Sequence, residues 1–82
     1  MQKSIQAASH SAEVQMELLL PNGQVISVAQ LGPDFLILAR PMNVEACVGE
    51  MVMRVDGVED RWKVRLPKGA RVDETRVAIA GV

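Results

Sequence analysis

From Val14 onward the chain alternates apolar with polar residues over short stretches, and each stretch stops at a turn-forming cluster. Successive side chains of a strand point to opposite faces, so such stretches bounded by Gly, Pro, Asn or Asp read as β-strands. The pattern predicts six of them, at about 14–20, 24–30, 34–40, 50–56, 60–66 and 75–80. Short strands at regular spacing predict an all-β fold, a small six-stranded antiparallel barrel or sandwich with at most one short helix. Pro21-Asn22-Gly23 separates the first two strands, and Asn-Gly tolerates the positive φ that both central positions of a type I′ turn require. That turn sets Ile26 and Val28 on the Leu19 side of the first hairpin. Leu31-Gly32-Pro33 breaks the second strand from the third. Arg40-Pro41 ends the third, because proline cannot donate to a ladder, and residues 41–49 form a longer loop closed by Gly49.

The fourth and fifth strands allow a test of register. With Asp56-Gly57 as the two central residues of the turn, Val55 faces Val58, Arg54 faces Glu59, Met53 faces Asp60 and Val52 faces Arg61. Met51 then faces Trp62, and Glu50 faces Lys63. One face collects the opposite-charge pairs Arg54 with Glu59 and Glu50 with Lys63, an arrangement that stabilises a pair of strands. The other collects Met51, Met53, Val55, Val58, Trp62 and Val64. A four-residue loop would set Arg54 against Arg61, and a three-residue loop would set it against Trp62. The two-residue turn is therefore predicted, with Trp62 pointing inward and buried. Asp60 is the one charge on the apolar face, which places it near the rim of the core.

The first and third strands are apolar on both faces, in Leu18-Leu19-Leu20 and in Phe35-Leu36-Ile37-Leu38-Ala39. A sheet with one wet face does not need this, so something is expected to cover the second face. Leu19, Ile26, Val28, Leu36 and Leu38 form the candidate self-association surface. The expected partner is a second copy in a homodimer, or another protein.

Upstream, residues 1–13 are rich in Gln, Ser and Ala, with Ile5 the one large aliphatic before Val14 apart from Met1. Ile5, Ala8 and Ala12 have helical spacing, and a terminus with little to bury stays loose. A tail or short helix is expected there, ahead of a single β domain over residues 14–82.

Composition narrows the function classes. In 82 residues, 49% are hydrophobic, which suits one globular domain and not a disordered chain. Phe35 and Trp62 are the only aromatics, so aliphatic residues must fill the core. Nine Lys and Arg against 10 Asp and Glu leave a net charge of −1, without the positive excess that a general nucleic-acid binder uses on phosphates. The lone Cys47 cannot form an internal disulfide, and a small domain without one points to a reducing compartment. No apolar run approaches the length of about 20 residues that spans a bilayer, and the first twelve residues lack the apolar stretch of a secretory signal. The expectation is a cytoplasmic protein with no membrane contact.

No reactive constellation emerges. His10 lies in the N-terminal stretch between Ser9 and Ser11, but neighbours along a chain are not held in reacting geometry and no third group orients them. Cys47 has no histidine nearby in sequence, and one Cys with one His falls short of the four ligands of a structural zinc site. The glycines are scattered at turns and none forms a phosphate-cradling loop before a helix. Arg61, Lys63 and Arg65 share one strand face as a candidate basic stripe for phosphate or an acidic partner, with Lys68 and Arg71 close behind. These observations predict no enzyme and no cofactor.

The order of features from Met16 to Ala80 resembles a PilZ-type β-barrel domain. A strand and turn, "MELLLPNGQ", lead into "VISVAQLGPDFLILARP", and a loop ends in the hairpin "VGEMVMRVDG" followed by "RWKVRLP". The resemblance implies a barrel. It does not carry over the family's cyclic di-GMP site, which uses Arg-x-x-x-Arg ahead of the barrel and then Asp/Asn-x-Ser-x-x-Gly. Upstream of Val14 this chain has Lys3 and no arginine, and near Ala29 to Asp34 it reads "AQLGPD". The stretch "WKVRLPKGAR" is also similar to the swapped-hairpin transcription factors and antitoxins, but Pro67 to Val77 leaves little room for that family's short helix, and Gly69 disfavours one.

The function expected from the sequence is a non-catalytic protein-interaction or self-association module, PilZ-like without cyclic di-GMP binding. The alternatives are a small-ligand or nucleotide-binding barrel using Arg40, Arg54 or the basic stripe, and a nucleic-acid-binding, antitoxin-like protein.

Overall fold

A computed structural model describes residues 13–82, and the tail or short helix expected before them lies outside the described residues. Seven strands follow one another: β1 (Val14–Leu19), β2 (Val25–Leu31), β3 (Phe35–Leu38), β4 (Cys47–Val55), β5 (Val58–Leu66), β6 (Arg76–Ala78) and β7 (Ala80–Gly81). All pairings are antiparallel, in one sheet of order β6-β3-β2-β1-β4-β5-β7. The two ends of this order, β6 and β7, are separated in the chain by Ile79 alone. Its N–H donates to the Asp34 carbonyl oxygen (3.0 Å) beside β3, and Ala80 then pairs with Arg65 on β5. One final segment thus hydrogen-bonds to both ends of the sheet and nearly closes it into a barrel. The sixth strand expected at 75–80 is this segment, divided at Ile79 where it passes from one neighbour to the other.

Closure gives the sheet a single interior. Leu18, Leu20, Ile26, Val28, Leu36, Leu38, Met51, Val64, Leu66, Val77 and Ile79 fill it, joined by Ala70. Four of the five residues expected to form a self-association surface, Ile26, Val28, Leu36 and Leu38, are therefore buried in the chain's own core, and Leu19 is half-buried outside it. Two causes produce this correction. A barrel needs one apolar face from every strand, so side chains that look surplus to an open sheet are the required lining.

The first hairpin, moreover, has a three-residue loop. Gly23 donates its N–H to the Leu20 carbonyl oxygen and Leu20 donates to that of Gln24 (both 2.9 Å), while Asn22 Oδ1 accepts from the Gln24 N–H (2.9 Å). Gly23 has φ +88° and Asn22 does not have a positive φ. This is a turn led by Pro21 and completed by one left-handed residue, not a type I′ turn. Leu18 consequently faces Ile26 and Leu19 faces Val25, and a one-residue slip moves every side chain to the other face. Ile26 joins Leu18 inside.

The β4–β5 hairpin has the register read from the sequence at every position from Val55↔Val58 to Glu50↔Lys63. Asp56 (φ +50°) and Gly57 (φ +84°) occupy the two left-handed positions of its turn. The loop between β3 and β4 ends earlier than expected, with β4 starting at Cys47, and is held by a bridge between Val44 and Ala70.

Candidate functional site

β1 keeps β2 as a neighbour only over Glu17–Leu19. Beyond Ser27, β2 turns to β3, and an extra residue at Ala29 between the Val28↔Leu38 and Gln30↔Ile37 pairs bends it further. β7 in turn reaches only Val64 and Arg65 of β5. The remaining ends of β1, β4 and β5 therefore continue as a three-stranded ribbon past the closed barrel. Register defines its rows: Leu18, Met51 and Trp62; then Met16, Met53 and Asp60; then Val14, Val55 and Val58.

These rows lie on the face that lines the core, but the core ends within the first of them. Leu18 and Met51 are fully buried, whereas Trp62 keeps 37% of its surface in contact with solvent. Val14 is 50% exposed and Val58 66%, with Met16, Met53 and Val55 half-buried between them. Trp62 points to the inner side as the sequence predicts, yet it is not buried, because no described strand stands over the ribbon. Sequence reasoning gathered the β4 and β5 residues of this face but missed that it lies open. Its one signal was Asp60, a charge among apolar residues, which sits in the row immediately beyond the core.

The opposite face of the ribbon is ionic. Arg54 bridges Glu17 and Glu59 (both 3.0 Å), and Arg61 bridges Glu59 and, at 3.2 Å, Glu50. Cross-strand pairing places Glu17, Val52 and Arg61 in one row, so Val52 lies beneath this network and is buried outside the main core. The hydrogen bond from Arg61, outweighing desolvation, and then the charges of Arg61 and Arg54 hold the Glu59 carboxyl below its ordinary range.

The network divides the candidate basic stripe. Arg61, Lys63 and Arg65 do share one exposed face of β5, but Arg61 is committed to two glutamates. Among the described residues Lys63 and Arg65 form no ion pair. The expected Glu50–Lys63 pairing holds in register, while the glutamate bonds to Arg61 instead. Lys68 and Arg71 lie elsewhere, lining with Asp34, Glu74 and Arg76 an open groove of about 390 Å³. There the Arg76 guanidinium stands 4.1 Å from the centre of the Phe35 ring. Arg40 lines a different groove, with Val25, Ile26 and Met42, and Arg54 is held in the ion network.

Cys47 is half-buried at the start of β4. Among the described residues no group of three or more His, Cys, Asp or Glu is placed to hold a metal ion, and no helix is long and apolar enough to cross a membrane. His10 lies outside the described residues.

Against family models, curated proteins and solved structures, the chain has no match.

Proposed function

We propose that this chain is a non-catalytic protein-interaction module whose docking surface is the ribbon at the end of β4 and β5. The supporting observation is the inner face of that ribbon, where Val14, Val58 and Trp62 stand exposed in rows continuous with the core. Contiguous apolar surface of this kind marks interaction sites, whereas scattered apolar residues do not. A barrel with PilZ-like order of features fits this reading as a scaffold, because function resides in the site and not in the fold. The absence of both phosphate-clamping motifs from the sequence argues against cyclic di-GMP as its ligand. The unpaired cysteine count supports a cytoplasmic setting.

Selection from a library of displayed random peptides about ten residues long, a length that spans one strand, tests the proposal. Peptides are expected to enrich on the full chain and to lose binding to the Val58→Ser/Trp62→Ser double variant. Absence of enrichment, or equal binding to the double variant, would reject it.

A second reading rests on the groove between Lys68, Arg71 and Arg76, which suits a small anionic ligand. Its carboxylates, Asp34 and Glu74, offset much of that charge. A thermal-shift screen with nucleotides and cyclic dinucleotides tests this alternative.

A further inference from the structure

The outer edge of β5 carries more information than the apolar face beside it. Asp56 donates its N–H to the Glu13 carbonyl oxygen (3.0 Å), and Glu13 donates to Asp56 Oδ1 (3.1 Å), so at the turn Asp56 faces β1. Backbone groups alternate in direction along a strand, so Val55 faces β5 and bonds to Val58. By the same alternation Val58, Asp60 and Trp62 point their N–H and C=O at β4, while Glu59, Arg61 and Lys63 point theirs outward. β7 pairs with Val64 and Arg65, and its register sets Val82 opposite Lys63, so of these residues Glu59 and Arg61 are the ones that no described strand meets. Among the described residues, Glu59 and Arg61 thus offer unpaired backbone donors and acceptors beside exposed Val58 and Trp62.

A second copy is a poor occupant. Outward-pointing residues pair only with outward-pointing ones, so a two-fold antiparallel pairing must centre on a residue of the edge. Centred on Glu59, Asp60 or Arg61, it brings that charge against the same charge of the second copy. Centred on Trp62, it sets Arg61 against Lys63 and runs into β7. Like charges directly opposite destabilise a pair, and an inward charge such as Asp60 is a recognised guard on an open edge.

A different chain escapes this conflict. Lys63 on the ionic face has no carboxylate partner among the described residues, and Arg65 beyond it has none either. Val58 and Trp62 alternate with these cations on the other face. We propose, building on the interaction surface above, that β5 accepts an extended strand from another protein over Val58–Trp62. An acidic side chain at the end of that strand reaches Lys63, aliphatic ones cover Trp62 and Val58, and a basic or small polar one meets Asp60. Main-chain bonds supply affinity and the alternate side chains supply specificity, as in other strand additions.

The peptides selected above, resynthesised, provide the probe, and Trp62, the only tryptophan, provides the signal. The selected sequences are expected to carry aliphatic residues at alternate positions with an acidic residue at one end, and to shift Trp62 emission to shorter wavelength on binding. Arg61→Pro removes an outward N–H while leaving the ladder to β4 intact, a substitution edge strands tolerate. It is expected to weaken binding about tenfold, and Arg61→Ala, which keeps the N–H, less. Methylating alternate backbone nitrogens of the peptide removes the same bonds without altering the protein, and one of the two methylation patterns is expected to abolish binding. Peptides that depend on Val58 and Trp62 but are insensitive to both changes would overturn strand addition and leave the interaction face standing. Sedimentation showing a dimer that Arg61→Pro abolishes would assign the edge to a second copy and overturn the choice of partner.

Discussion

Replacing Gly69 with alanine tests how the barrel is held shut where the long β3–β4 loop meets the chain beyond β5. Gly69 has φ +63°, where an L-residue costs about 1–2 kcal/mol. A Cβ at this position would also run into the Val44 carbonyl oxygen and approach backbone atoms of Glu45 and Ala46 at 2.8 and 2.9 Å. Backbone cannot swing aside as a side chain can, so the two segments must separate. They are joined by the N–H of Val44 donating to the Ala70 carbonyl oxygen (2.9 Å) and the N–H of Ala70 donating to that of Val44 (2.8 Å). Each such bond contributes about 0.5–1.5 kcal/mol. Strain and the two lost bonds together predict a loss of about 2–5 kcal/mol. Gly57→Ala is the matched control, with φ +84° and nothing within 4 Å of an added Cβ, so it should cost only the strain of about 1–2 kcal/mol. Urea unfolding followed by far-ultraviolet circular dichroism measures both without relying on the exposed tryptophan. Gly69→Ala losing no more stability than Gly57→Ala would refute the close approach of these backbones.

Truncation should separate core from ribbon: Leu36→Ala is expected to cost about 2–5 kcal/mol in the same assay. Trp62→Ala should cost about 1 kcal/mol, well below the usual range for a fully packed aromatic, and a loss as large as that of Leu36→Ala would show that Trp62 is enclosed. The Glu59 carboxyl has its folded pKa below the unfolded value, so its stabilisation is present above the unfolded pKa and disappears as pH falls through the folded one. Melting temperatures of the wild type and Glu59→Gln should accordingly differ at neutral pH and converge in acid; a gap that persists at low pH would refute this contribution. Asp60→Val removes the inward charge and permits the register in which Glu59 meets Arg61 and Val58 meets Trp62 of a second copy. Concentration-dependent dimerisation in sedimentation is expected of this variant, and a monomer at all concentrations would show that Asp60 does not guard the edge.

Local chemistry made the β4–β5 hairpin legible residue by residue. Asp56-Gly57 suits a turn with two left-handed positions, and only the two-residue loop sets Arg54 beside Glu59 while gathering Met51, Met53, Val55 and Val58 on one side. The all-β class followed equally from alternation and turn spacing, properties that neighbouring residues settle among themselves. The first hairpin shows where such reasoning stops. Asn22-Gly23 alone suggests a two-residue turn, but Pro21 joins the loop, and the resulting shift exchanges the buried and exposed faces of β2. Tertiary closure decided the rest. It made Ile26, Val28, Leu36 and Leu38 the lining of one interior, and it divided the last strand at Ile79 between two neighbours. Among the described residues, it also left the ribbon beyond Trp62 without a strand above it. Register is a relation between adjacent strands and is encoded in their turn and charges. Burial depends on what stands across the barrel, and no local pattern in β5 records that β2 and β7 turn away before reaching its end.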